Sequence, residues 1–414
     1  MAVSENPTTL PVRQGRNLDD VRRSNLAAVL GAVHVQGRVS RADLARATGL
    51  NRSTIGILVA ELVERGLVDE VEPSSTRLAG RPSPSVVPRE DVVALAVNPE
   101  IDAVTIGLVS LSGRVHKRIR YDTAHVPSPD EVVNIVAAVV AGMSGELDRS
   151  FRTVGVGLAV PGLVRDGDGV VILGPHLGWK DVPIAAMLSE ALSLPVAAAN
   201  DASTGVMAEY TFGVGRGTQN LIYLNGGASG IGGGVAIDGM LLTGSSGFAG
   251  EFGHSLVNSA GVLCHCGAIG CLETEVSQAP LLDTLGLDST GSEQLESVLL
   301  GQFSREGGPE REILDLVHRQ LDFLAVALRG VVNMFNPELV LLGGFLGTLY
   351  AAAPERLEAG VRTRALVGPR DDVRFARAEL GADLLLVGAA QLAFAPILAD
   401  PASFGAAASP AAER

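Results

Sequence analysis

A 414-residue chain that is 47% hydrophobic and 19% charged can bury more than one core, so two or three domains are expected. No run approaches 18 uninterrupted apolar residues, which argues against a membrane span, and the opening MAVSENPTTLPVRQGR lacks the apolar core of a secretion signal. A net charge of −14 argues against a generic nucleic-acid binder, and three crowded cysteines do not make a secreted disulfide framework, so the chain is expected in the cytoplasm.

The charge is unevenly spread. Residues 1–90 hold 12 Arg and no Lys against 10 Asp and Glu, a net of +2, which leaves −16 for the remainder. An arginine-bearing head on an acidic body fits one DNA-reading domain joined to something else. After a flexible arm over 1–16, the head is expected over 17–88, beginning with a helix from about Val21 to Gln36. VSRADLARATGLNRSTIGILVAELVERGLVDEVE (39–72) then reads as two helices and a strand. Ser40 and Asn51 can cap the helices, and Gly49 suits the left-handed turn between them. Ile55, Leu58, Val59, Leu62 and Val63 follow i, i+3, i+4, i+7, i+8 spacing, which gives one apolar face.

This is helix-turn-helix grammar, with the second helix as reader. Asn51, Arg52, Ser53 and Thr54 lie at its N-terminal end, where base edges are contacted. LVDEVE and SPSVVP can pair as wing strands whose tip carries Arg81, a candidate minor-groove probe. Arg13, Arg16, Arg22, Arg23 and Arg41 are candidates for phosphate contact. The expected partner is double-stranded operator DNA.

From Val92 strands alternate with helices. A three-strand meander (92–97, 103–110, 114–121) leads to a helix over 128–147 capped by Ser128, the strand VGVGLAV and the strand PVAAAND with its following helix. A second set begins at LIYLNGG (221–227) and continues through GGGVAIDG, GMLLTG and LVLLGG (339–344). Two similar α/β halves imply a cleft between them. The expected lobes are 91–200, completed by a C-terminal helix at about 381–398, and 201–380; a flexible tail follows over 399–414.

VPGLV (160–164), LGWKDVP (177–183), ANDA (199–202), GEFGH (250–254), CHCGAIGCLE (264–273) and NPELVLLGG (336–344) resemble the ROK family of repressors, open reading frames and sugar kinases over roughly Arg13 to Pro396. The winged head is similar to that of the family's transcriptional regulators. The resemblance implies a two-lobed actin- and hexokinase-like (ribonuclease H-like) body with a sugar or sugar phosphate effector in the cleft. It also implies a structural zinc and assembly as a homodimer or homotetramer.

All three cysteines lie within eight positions, and three thiolates need a fourth ligand to close a tetrahedral zinc site. His265 sits between two cysteines, so its side chain is expected to point away from the metal; His254 is the better ligand. The expected set is His254, Cys264, Cys266 and Cys271. By resemblance, Gly162 matches a turn of the sugar lobe, and Asn200, Asp201, Glu251, His254 and Glu273 face sugar hydroxyls. Asp201 matches the kinases' general base. His176 stands where the family usually has Asn.

The kinases open their body with Asp-x-Gly-Gly-Thr, whose amides cradle phosphates. Here the matching residues are Asn98, Pro99, Glu100, Ile101 and Asp102, without the glycines and with two carboxylates that repel phosphate. NGGASGIGGG (225–234) stays glycine-rich but has Ala228-Ser229-Gly230 where kinases favour Gly-Thr-Gly, while Gly343 and Gly344 persist. The expectation is a non-enzymatic DNA-binding regulator, a repressor of sugar metabolism genes. The alternatives are an active sugar kinase with an accessory head, and a DNA-binding protein whose body only dimerises.

Overall fold

The computed structural model describes residues 18–72, 84–287 and 294–405. They form two compact units, one drawn from Met1–Arg89 with Ala395–Arg414 and one from Glu90–Phe394.

In the first unit, α1 (Leu18–Gln36) precedes β1 (Val39–Ser40), α2 (Arg41–Thr48) and α3 (Arg52–Glu64). The caps form as the residue types dictate. Ser40 Oγ accepts from the Asp43 amide at 3.1 Å and Asn51 Oδ1 from the Thr54 amide at 2.9 Å. Gly49 takes φ 70°, the left-handed conformation that a helix stop requires. Ile55, Leu58, Val59 and Leu62 are buried along one face of α3, which packs on α1 and α2. At about 1.5–3 kcal/mol per large apolar side chain, that face outweighs helix propensity in placing α3. Val63, expected on the same face, is instead 40% exposed. β2 (Val68–Val71) and β3 (Ser85–Pro88) pair antiparallel as the wing, and β3 also pairs β1. The wing tip with Arg81, and Arg13 and Arg16, lie outside the described residues.

The tail expected to be loose from residue 399 is held as far as Phe404. Arg23 bonds both carboxylate oxygens of Asp400, and Arg65 Nη1 donates to Ala402 O at 2.7 Å and Phe404 O at 2.8 Å. Short-range pattern could not reveal this, because the partners are more than 330 positions apart.

The second unit holds two sheets built alike. β4 (Val92–Pro99), β5 (Ala103–Ser110) and β6 (Val115–Asp122) form an antiparallel meander, followed by α4 (Pro129–Ser150) and β7 (Arg152–Val160). A small sheet of β8 (Leu163–Val164), β9 (Val171–Gly174) and β10 (Trp179–Val182) comes next, then α5 (Ile184–Leu192) and β11 (Val196–Asn200). The order is β11-β7-β4-β5-β6, with β11, β7 and β4 parallel.

After α6 (Asp201–Phe212), the pattern repeats in β12 (Leu221–Gly227), β13 (Gly230–Ile237) and β14 (Met240–Leu241). α7 (Leu272–Glu275), α8 (Ala279–Leu285), α9 (Leu295–Phe303) and α10 (Arg311–Phe335) intervene before β15 (Leu339–Gly343). α11 (Gly344–Ala352), α12 (Pro354–Arg364) and α13 (Pro369–Asp372) precede β16 (Arg374–Arg377). The order β14-β13-β12-β15-β16 mirrors the first sheet, each with an antiparallel meander and two further parallel strands. Each lobe has its own apolar core.

The last helix, α14 (Leu384–Ala399), lies against the first sheet. A Cβ at Gly157 would meet Ala389 O at 1.8 Å, so only glycine allows this approach. The stretch Gly381–Ala399 is long and apolar enough to cross a membrane, yet Ala389, Ala390 and Phe394 are fully buried, as befits a core helix.

Candidate functional site

In the head, α3 presents its first turn outward, with Asn51, Arg52 and Ser53 exposed and Thr54 half-buried. Asn51 Oδ1 accepts from both the Thr54 amide and Ser53 Oγ (2.6 Å), so these two side chains shape the cap as well as the surface. Arg41 is engaged elsewhere: Nε and Nη2 each reach a Glu70 oxygen at 2.6 Å, tying α2 to the wing. Arg22 reaches Glu61 at 2.7 Å and Arg23 reaches Asp400. Three arginines expected on phosphates thus hold the head together.

In the body, Gly162, Asn200 and Asp201 lie at the ends of parallel strands, where open α/β sheets place ligand sites, while Glu251, His254 and Glu273 come from the 3-10 turn and α7. Gly162, at φ 133°, sits where a Cβ would strike Leu173 O at 2.4 Å. Asn200 ends β11 and caps α6. Its Oδ1 accepts from the Ala202 and Ser203 amides at 2.9 and 3.1 Å, while Nδ2 donates to Gly162 O at 2.9 Å. The structure therefore makes Asn200 the tie between two cleft loops, with its carbonyl oxygen engaged rather than presented to a ligand.

Asp201 begins α6, with Oδ1 accepting from its neighbour's amide at 2.8 Å. Burial raises its carboxyl to about 6, and the negative charge of Glu251 adds to the rise. Burial also raises Glu251, whose Oε2 lies 3.9 Å from His254 Nε2.

His254 ends the 3-10 turn Phe252–His254 and faces both ways. Nδ1 lies 3.7 Å from Cys264 Sγ and 3.6 Å from Glu273 Oε1, while Nε2 faces Glu251. The loop that follows is shaped by glycine: at Gly270, φ 73°, a Cβ would meet Asn258 O at 1.6 Å. Cys266 and Cys271 Sγ stand 3.7 Å apart, and ligand atoms of His254, Cys264, Cys266 and Cys271 all lie within 4.8 Å of one another. Three thiols and an imidazole at that spacing form a group able to hold a metal ion.

Burial, and then the Glu273 carboxylate, push the Cys264 thiol up to about 12, whereas the Ala268 amide lowers Cys266. Glu273 Oε1 accepts from Cys264 Sγ at 3.0 Å and stands 3.0 Å from His265 Nδ1. The His265 side chain is 44% exposed, yet it does not point away from the thiols: Nδ1 stands 3.8 Å from Cys264 Sγ. Its ring packs edge-on between those of His254 (5.2 Å) and His176 (6.0 Å). Sequence reasoning missed this contact because it used strand-like alternation in a loop.

The 98–102 segment folds as a closed hairpin turn. Asn98 Nδ2 donates to Ala159 O at 3.0 Å, the Glu100 amide donates to Ala103 O at 2.8 Å, and Arg120 bridges Glu100, Asp102 and Asp122 at 2.8–2.9 Å. In the other lobe Gly227 pairs with Gly230 across a two-residue turn, and a Cβ at Gly230 would lie 2.5 Å from Glu273 Oε2.

A winged helix-turn-helix head followed by two like lobes, with Asp201 at a strand end and a His/Cys group in the loop before α7, defines a DNA-binding regulator's head on an actin- and hexokinase-like body. The chain belongs to the ROK family, whose model matches residues 97–395; the MarR family model matches 27–77. It is 25% identical to the xylose repressor of Caldicellulosiruptor bescii over 401 residues, 92% of this chain and 98% of that one. It is 32% identical to the glucokinase of Thermotoga maritima over 253 residues, 58% of this chain and 78% of the enzyme. A solved ROK family transcriptional regulator, a homologue of the Escherichia coli MLC protein, superposes with a TM-score of 0.74 at 23% identity, over 92% of this chain and 97% of that one.

Proposed function

We propose that this chain is a sugar-responsive transcriptional repressor that reads operator DNA through α3 and binds a sugar or sugar phosphate beside Asp201, Glu251, His254 and Glu273. The observation that carries the reading is the pairing, in one chain, of a capped, outward-facing reader helix with a site where Glu251 and Glu273 flank His254 and the charge of Glu251 reaches Asp201. Similarity to a xylose repressor along 92% of the chain supports the same pairing. Carboxylates suit hydroxyl recognition because each accepts paired hydrogen bonds. In the cytoplasm, two heads of a homodimer or homotetramer would read two half-sites.

His254, Cys264, Cys266 and Cys271 would hold zinc, and four protein ligands leave no open position for water, so the metal's part is structural. A metal-bound thiolate has no proton to donate. Metal loading would therefore leave Glu273 Oε1, now bonded by Cys264 Sγ, to accept from a ligand hydroxyl instead.

One observation favours a second reading, a sugar kinase: Asp201 is a half-buried carboxyl whose burial raises it to about 6, near the range a general base requires. The closed hairpin at 98–102 weighs against it, because the segment that matches the kinases' phosphate loop in sequence carries the carboxylates of Glu100 and Asp102 without the glycines, and its Glu100 amide is already bonded. A coupled ADP-release assay over hexoses and N-acetylhexosamines separates the two; sugar-dependent turnover would establish the kinase.

Fluorescence anisotropy on the DNA upstream of the gene tests the repressor reading. The wild-type protein should bind it specifically and release it on addition of the effector sugar. Arg52→Ala is expected to weaken binding about tenfold or more, in line with loss of a base contact worth about 1–3 kcal/mol. Equal affinity of the variant would remove Arg52 from the reader, and absence of specific binding by the wild type would remove the function.

A further inference from the structure

The geometry points to Ile57 as a base-reading residue: we propose that its side chain contacts the C5-methyl of a thymine in the major groove. The inference rests on the DNA-binding reading and assigns it a specificity contact. With Ile55, Leu58, Val59 and Leu62 buried, the opposite side of α3 carries Ser53, Ile57, Ala60 and Glu64 at i, i+4, i+7 and i+11, all exposed. That is the polar side of an amphipathic helix, yet its middle position is a large β-branched hydrocarbon, 67% exposed.

A neighbouring residue marks the same face. Gly56 sits inside α3, where glycine is unfavourable relative to alanine, and a Cβ there would meet only Arg41 Nη1 at 3.8 Å. Core packing does not call for the missing side chain, but close approach of a duplex does. Ser53 and Ala60, the other near neighbours on this face, are also small, so Ile57 projects beyond them.

Among the base edges of the major groove, the thymine methyl is the apolar feature, and an apolar side chain is its matching reader. The position fits as well: Ile57 lies one turn beyond the Arg52–Ser53 end that enters the groove. Glu64, two turns further, carries a charge that phosphates repel, which limits contact to the N-terminal half of the helix.

The experiment uses the full chain and a synthetic, unmethylated randomised duplex library, so that thymine is the source of any C5-methyl. The sequence selected by the wild-type protein is remade with each thymine replaced in turn by uracil, which removes only the methyl. One symmetry-related position is expected to weaken wild-type binding about fourfold per half-site, the ratio that burying one methyl-sized group yields. Ile57→Ala should bind the thymine and uracil duplexes equally, with an unchanged unfolding midpoint because the side chain is exposed. Full thymine preference in Ile57→Ala, or no uracil-sensitive position for the wild type, overturns the assignment. A selection in which the wild type enriches no sequence defeats the DNA-binding reading itself, and this inference with it.

Discussion

Serine in place of Cys266 is expected to strip the metal and to weaken the sugar response together. Cys266 is the informative choice because it is exposed, whereas Cys264 and Cys271 are 2% and 1% exposed. Serine at a buried position would add a packing defect, but at 266 the oxygen for sulfur exchange disturbs the metal set alone. Inductively coupled plasma mass spectrometry should fall from stoichiometric zinc to less than about a tenth. Structural zinc sites bind with about 10–16 kcal/mol, so losing one of four ligands should lower stability by several kcal/mol, read as a drop in the unfolding midpoint.

The sugar response should fall at least about tenfold, because the same loop sets His254 and Glu273. The loop is tied to its flanks by Leu272 N to Ser255 O at 2.9 Å and Gly270 N to Val262 O at 2.9 Å, so its collapse moves both residues. Zinc retained in the variant would refute the ligand set. Zinc lost with the sugar response intact would show that the clamp and the cleft are independent.

What the sequence disclosed was whatever is decided locally. Ser40, Asn51 and Ser128 announce helix starts through side chains that reach an amide three residues on, and all three bonds form. β4, β5 and LIYLNGG are legible because strands largely buried on both faces read as apolar runs between turns, whereas the charged, largely exposed β6 is read from its place beside β5. The His/Cys group is legible because donor chemistry is scarce and its spacing is short.

The rest depends on distant partners. Whether Arg41 meets phosphate or Glu70 is settled by the packing of α2 on the wing. Asn200 was legible as a cleft residue but not as the brace to Gly162, 38 positions away. Glu209 drew no notice, yet it is fully buried and accepts from the Glu379 and Leu380 amides at 2.8 and 3.0 Å, pinning α6 to the loop before α14. A lone glutamate in a helix carries no signal of such a role. Ile57 stands outside the i, i+3, i+4 pattern that marks the buried face of α3, so an apolar periodicity gives it no role.

Asparagine in place of Asp201 is expected to stabilise the ligand-free protein at pH 7.5 while abolishing its response to sugar. The carboxyl titrates at about 6 in the folded chain against an ordinary value of 3.8, so folding favours its neutral form. Between these values the folded state holds more protons than the unfolded one, and stability falls as pH rises. The contribution is complete below about pH 4 and lost above about pH 6. Asparagine keeps the neutral shape and removes that loss.

Asp201 keeps part of its side chain open to the cleft, so the gain is discounted for solvent screening to about 1–2 kcal/mol at pH 7.5. It should vanish near pH 4, as urea unfolding at the two pH values would read. With its one oxygen held by the Ala202 amide, asparagine would present an NH2 group, which cannot accept from hydroxyls as the free carboxylate oxygen, with its two lone pairs, does. With about 1.5–3 kcal/mol for each charge-assisted bond, affinity for any sugar that shifts the wild-type unfolding midpoint should fall at least about 100-fold. Opposite signs in the two measurements are the signature of a carboxylate held against its own burial for a ligand's sake. A variant that is less stable at pH 7.5, or that keeps the full sugar shift, would show that Asp201 serves the scaffold instead.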